Sequence, residues 1–232
     1  MNSELKEFIE KYVHLLDDMR IDVLYSTLAM NRLHTVSPSS LTQLLIEIGI
    51  DPLEHMNRVA RGMYERDMNL EVMQLPDNIG KVDAVAFKDC LYLQSVFIPA
   101  SVKRIGVEAF MNCVQLHDIK IENGLEFVAH DTFKNCTSLE EIFIPDSCYD
   151  IDTGVFMQCK KLKKVSLPPN LKCLSHFLFD GCTNLKTIEY RGLRDMWDEL
   201  PKHEKWLPDL PHTVTVKCLN GDLKYVHGVK FI

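Results

Sequence analysis

Short bursts of alternating apolar and polar residues recur through the chain from about Leu70 onward. In Leu93-Gln-Ser-Val96-Phe-Ile98-Pro99, Val96 and Ile98 alternate as the inward residues of a half-buried strand do. Pro99 removes a ladder donor and stops the strand. The leucine returns every 23 residues at Leu93, Leu116, Leu139, Leu162 and Leu185. Three and five residues after each stand Val96/Ile98, Ile119/Ile121, Ile142/Ile144, Val165/Leu167 and Ile188/Tyr190. The same period, with no insertion, carries Cys90, Cys113, Cys136, Cys159 and Cys182, each preceded three positions earlier by Phe87, Phe110, Phe133, Phe156 or Phe179. Proline closes the bursts at Pro76, Pro99, Pro145 and Pro168, whereas Glu122 and Arg191 depart from the pattern. Leu70, Met73 and Leu75 form a first, degenerate copy, so the repeats run over 70–192.

A fixed period of this size predicts a solenoid, because one unit cannot bury its apolar face alone and must stack on its neighbours. Within a unit, a second short extended piece follows the strand, with Val102 and Ile105 inward and Gly106 at the turn. The compact turn Glu108-Ala-Phe110-Met-Asn-Cys113 then drops one aromatic into the axis of the coil. At ~4.8 Å per coil, identical positions stack in van der Waals contact, so the five phenylalanines should form a spine. A solenoid also needs a lid over its last coil. Val214, Val216 and Cys218 alternate up to Asn220-Gly221, which predicts a type I′ hairpin turn, and Leu223 and Tyr225 alternate after it.

Leu139-Glu-Glu-Ile-Phe-Ile-Pro145, Val102-Lys-Arg-Ile-Gly106 and Ala109-Phe-Met-Asn-Cys113 resemble the unit of the BspA-type leucine-rich repeat, L-x-x-I-x-I-P with V-x-x-I-G and A-F-x-x-C segments. The segment Ile188-Glu-Tyr190-Arg-Gly192, with Trp197, Trp206 and Val214 to Asp222, is similar to the tail that often ends bacterial and phage members, which implies a C-terminal cap. The family resemblance implies interaction rather than a reaction.

Residues 1–69 have a different texture. Ser3 can cap a helix with Leu5, Phe8, Ile9, Tyr12, Leu15, Leu16 and Met19 on one side, and a second apolar stretch holds Leu24, Leu28 and Leu33. Ser37-Pro38 opens a third helix ended by Gly49, and Asp51-Pro52 opens a fourth with Leu53, Met56, Val59, Ala60 and Met63. The expected fold class is therefore α+β: a helical block over 1–69, then a β-rich solenoid domain over 70–232, with repeats at 70–192 and a cap at 193–232.

Composition narrows the function. The 232 residues are 46% hydrophobic and 25% charged, which is ordinary globular usage. No apolar run reaches the roughly 18–20 residues of a membrane span, and Met1-Asn-Ser-Glu-Leu-Lys-Glu lacks the basic flank and apolar core of a secretion signal. The expected location is cytoplasmic, in a bacterium or an infected host cell, with reduced thiols. A net charge of −7 argues against binding nucleic acid by phosphate neutralisation. A helix-turn-helix outline over 41–66, with Arg58, Arg61 and Arg66, meets the same objection, since residues 1–69 hold 7 basic and 11 acidic side chains. A column of one thiol per coil does not converge on the tetrahedron that structural zinc needs, so the cysteines are expected to pack as small hydrophobes. His203-Glu204 lacks the second histidine of a zinc-protease helix, and no nucleophile elbow, phosphate loop or dinucleotide turn is present. No enzyme activity, metal or cofactor is expected.

What remains is a surface. The residues flanking each inward strand position project outward as Ser95/Phe97, Asp118/Lys120, Glu141/Phe143, Lys164/Ser166 and Thr187/Glu189. Phe97 and Phe143 are the aromatic exceptions, with Lys120 between them at cation–π range, ringed by charge as interaction hot spots are. The expected partner-binding residues are Phe97, Asp118, Lys120, Glu141, Phe143 and Lys164. The expected function is noncatalytic recognition of a protein partner, in its sharpest form inhibition of a host defence or regulatory protein by a phage or mobile-element product. The rivals are a DNA-binding regulator using 41–66 and a surface adhesin-like module. An uncovered end coil would favour homo-oligomers.

Overall fold

The computed structural model describes residues 72–75, 79–208, 210–226 and 228–231. The expected helices of 1–69, the helix-turn-helix outline and Leu70 lie outside the described residues. From residue 72 the chain is a β-solenoid of about five turns built from the 23-residue repeat. The first turn supplies β1 (Val72–Gln74) and β2 (Lys81–Val82), the second β3 (Ser95–Ile98) and β4 (Arg104–Ile105). The third gives β5 (Asp118–Ile121) and β6 (Phe127–Val128), and the fourth β7 (Glu141–Phe143) and β8 (Asp150–Ile151). The fifth gives β9 (Lys164–Leu167), and β10 (Thr187–Tyr190) opens the terminal coil. Then come α1 (Arg194–Glu199), β11 (Val214–Cys218), β12 (Gly221–Val226) and β13 (Val229–Phe231).

Strands one period apart pair in parallel, Val96 opposite Ile119 and Val165 opposite Ile188, so the sequence repeat is the sheet register. The second side is the unbroken parallel sheet β2-β4-β6-β8. The first side is not continuous. It splits into β1-β3-β5 and a six-stranded sheet beginning at β7, with no ladder joining β5 to β7. An evenly stacked ladder, as the repeat predicts, is thus corrected at one step.

The core confirms the spine. Phe87, Phe110, Phe133, Phe156 and Phe179 are wholly buried and stack nearly parallel, with centroid separations of 5.1, 5.5, 6.0 and 5.7 Å. The longest step, Phe133 to Phe156, spans the same two turns as the split. The buried thiols do more than fill space. Cys113, Cys136, Cys159 and Cys182 donate to the carbonyls of Phe87, Phe110, Phe133 and Phe156, at Sγ–O distances of 3.1, 3.3, 3.1 and 3.0 Å. Each thiol thereby bonds the preceding turn, and none of the eight cysteines is in a disulfide. Where Glu122-Asn-Gly124 replaces the proline corner, Gly124 is required: a Cβ there would lie 2.0 Å from the Ala100 carbonyl oxygen. Ser147 of the next turn stitches that corner, accepting from the Gly124 amide at 2.8 Å and donating to the Leu125 carbonyl at 2.7 Å.

The cap closes the last coil with aromatic rings. Tyr190, Trp197, Trp206 and Tyr225 meet edge to face at 5.1 to 5.7 Å, and the Trp197 indole donates to the Tyr225 hydroxyl at 3.0 Å. β11 adds in parallel to β10, and β12 and β13 follow antiparallel. Cys218 pairs with Gly221, so the hairpin loop is Leu219-Asn220. The type I′ assignment to Asn220-Gly221 is corrected: that turn needs positive φ at both loop residues, and here Gly221, at φ 144°, starts β12.

Candidate functional site

The outer face of the first sheet side follows the pleat. Val96, Ile119, Ile142, Val165 and Ile188 point inward and are buried, so their neighbours face out. Phe97 is half-covered, and the Lys120 ammonium lies 5.3 Å from its ring centroid. Phe143 is 50% exposed, and its cation is Arg191, with the guanidinium 4.1 Å from the ring. Lys120 makes the expected cation–π contact with Phe97, whereas the cation at Phe143 is Arg191 rather than Lys120.

Arg191 occupies the place where other turns carry a closing proline. From there it reaches back across the fifth turn to the fourth, donating to Asp146 at 2.7 Å, to the Ser166 hydroxyl at 2.6 Å and to the Ile144 carbonyl. A planar guanidinium can stack on a ring and bond in its own plane at once, which lysine cannot. Phe143 is thereby held upright while still half exposed, and Ser166, outward by register, is buried.

Beside Phe143 the split between β5 and β7 opens a depression of about 360 Å³, lined by His117, Asp118, Ile119, Glu141, Ile142, Phe143, Lys164, Ser166 and Glu189. Four of the six expected residues, Asp118, Glu141, Phe143 and Lys164, line it; Phe97 and Lys120 stand outside it. Lys164 pairs with Glu189 at 2.8 Å. That hydrogen bond holds the ammonium above its ordinary pKa and the Glu189 carboxyl below its own. Asp118 accepts from the Ser95 hydroxyl at 3.2 Å.

Arg191, Ser166, Glu189 and His117 are absent from the expected set. The broken proline pattern at Arg191 is the sequence signal that marks it. The second side holds a smaller analogue of about 260 Å³, where Arg104 lies over Phe127 at 4.9 Å and Lys172 over Tyr149 at 4.7 Å. Among the described residues no group of three His, Cys, Asp or Glu side chains is placed to hold a metal. Burial pushes the thiols of Cys148 and Cys159 up to about 12, so neither is a ready nucleophile.

Among curated proteins nothing matches the chain. Solved structures of bacterial leucine-rich repeat proteins are similar, two of them at 33% identity. The leucine-rich repeat protein of T. pallidum is 33% identical, with a TM-score of 0.50, over 51% of this chain and 57% of that one. A leucine rich cell surface protein of Faecalibacterium prausnitzii is 33% identical, with a TM-score of 0.55, over 56% of this chain and 34% of that one. The likeness therefore spans just over half the length of the first and about a third of the second. The model of the BspA type leucine rich repeat region matches residues 80–195 in six copies. With its alternating strands, phenylalanine spine and thiol column on that same period, this chain belongs to the BspA-type leucine-rich repeat family.

Proposed function

We propose that the chain is a noncatalytic recognition module that docks a protein partner on the strand face around Phe143. The observation that carries this reading is the half-exposed Phe143 ring, fixed by Arg191 at the rim of the depression. An aromatic anchor immobilised before binding loses little entropy on docking, and hot spots are built on such rings and on arginine. Phe97, Asp118, Lys120, Glu141 and Lys164 complete the surface. The family resemblance supports an interaction or surface module. The finer version is an inhibitor, carried by a phage or mobile element, that covers a basic surface of a host protein in the cytoplasm; the net charge of −7 supports it. The alternative of a surface-displayed module is favoured by the F. prausnitzii relative, which is a cell surface protein.

Affinity capture from source cells tests the face. A Phe97→Ala/Phe143→Ala variant should lose a partner that wild type and a Phe127→Ala/Tyr149→Ala variant both retain. Retention by all three would remove the strand face from the proposal.

A further inference from the structure

The carboxylates of the strand face are unequally served. Glu140 pairs with Lys163 at 2.6 Å, Glu189 with Lys164 at 2.8 Å and Asp146 with Arg191 at 2.7 Å. Among the described residues neither the Asp118 nor the Glu141 carboxylate makes an ion pair: Asp118 accepts from a hydroxyl, and Glu141 meets Lys164 only through its field, without a side-chain hydrogen bond. Within the depression three carboxylates, Asp118, Glu141 and Glu189, face one ammonium, Lys164, which stands in register with Glu141 but bonds Glu189. His117 lines the same space, its ring nitrogen 3.0 Å from the Gln115 carbonyl oxygen. Lys120 and Arg191, on the same face, are engaged elsewhere, Lys120 on Phe97 and Arg191 on Phe143 and Asp146. Asp118 and Glu141 begin the two strands that lack a common ladder, so carboxylates without an ion pair among the described residues stand at the split. Ile119 and Ile142, 9% and 4% exposed, and the half-exposed Phe143 ring supply the apolar part of the lining.

This is a depression with an exposed aromatic ring and two carboxylates that make no ion pair among the described residues, complementary to a side chain with an apolar stem and a cationic head. We propose that the occupant is a basic side chain, arginine fitting best, on an extended segment of the protein partner. Its methylenes lie along the exposed Phe143 ring, and its guanidinium bridges Asp118 and Glu141 across the split. Five donors in a rigid fork can serve two carboxylates on separate strands, where the point charge of lysine can approach only one closely. The inference rests on the strand-face reading above and adds the chemistry of the partner.

The test uses the full chain, labelled for two-dimensional amide NMR, and two end-blocked peptides, Gly-Ser-Val-Arg-Val-Ser-Gly and the same peptide with citrulline for arginine. Citrulline keeps the shape and removes the charge. The arginine peptide should shift amides at 117–119 and 141–143 and bind about tenfold tighter than the citrulline peptide. Asp118→Asn/Glu141→Gln, isosteric and exposed, should leave the remaining spectrum intact and abolish the difference. Equal binding of both peptides, shifts that survive this double substitution, shifts confined to other acidic surface or to self-association, or no shift at millimolar peptide would each overturn the proposal. Failure of the docking reading itself is distinguishable. If Phe97→Ala/Phe143→Ala loses a captured partner while Asp118→Asn/Glu141→Gln keeps it, the face docks a partner without a basic anchor.

Discussion

Each described turn bends the backbone into the left-handed region twice, five residues before its cysteine and immediately before it. The first set is Val85, Glu108, Asp131, Gly154 and Phe177, at φ 54 to 65°; the second is Asp89, Asn112, Asn135, Gln158 and Gly181, at φ 62 to 74°. Asparagine and aspartate tolerate this region and also bond along the stack: Asn112 donates to Asp89 at 2.6 Å, and Asn135 to Asn112 at 3.0 Å. Val85, β-branched at φ 55°, is the outlier. Val85→Asn should raise stability by about 0.5–1 kcal/mol, read as a higher urea midpoint with unchanged slope. The thiols give a pH prediction. Burial raises Cys148 and Cys159 from 9.0 to about 12, so the folded protein keeps these protons where the unfolded chain loses them. Their contribution is complete below pH 9.0 and drains away as pH rises toward 12. Melting temperature should therefore fall above pH 9.0, and a Cys148→Ala/Cys159→Ala variant should show a shallower fall.

At the scale of the element, the spine and the strand face answer differently to the same truncation. Phe133 is wholly buried between two stacked rings, and Phe133→Ala should cost about 3–5 kcal/mol in urea unfolding. Phe143→Ala, at a half-exposed ring outside the core, should cost under about 1 kcal/mol. A comparable loss from both would mean that the strand face is structural. The alternation, the phenylalanines and the cysteines were all legible in the sequence, because each depends on neighbours one period away. The split was not. Whether β5 meets β7 depends on how two turns sit against each other, and the apolar pattern is the same on both sides of the gap.

For the whole molecule, the cap decides whether the rod ends cleanly. Trp197, Trp206, Tyr190 and Tyr225 cover the terminal coil, and Lys202 lies over Trp197 at 5.1 Å while donating to the Trp197 and Leu200 carbonyls. Burial lowers the pKa of that ammonium. Trp197→Ala removes the central ring and leaves the Tyr225 hydroxyl without its indole donor. The expected loss is about 3–5 kcal/mol, with light scattering rising during the melt as the end of the stack is exposed. An unchanged melt would show that the solenoid holds its last coil without this cluster.

The 23-residue period by itself determined the parallel register, the stacked axis and which strand residues face outward, since in a solenoid sequence offset and spatial neighbour are the same relation. Tertiary structure alone decided the rest. Arg191 finds Asp146 and Ile144 at separations of 45 and 47 residues, two turns back, and no local pattern encodes so long a reach. It also gave Lys164 to Glu189 rather than to Glu141, its partner in register, so that among the described residues Asp118 and Glu141 make no ion pair while Glu140, Asp146 and Glu189 do, because side-chain pairing is settled by rotamers and packing after the backbone register is fixed.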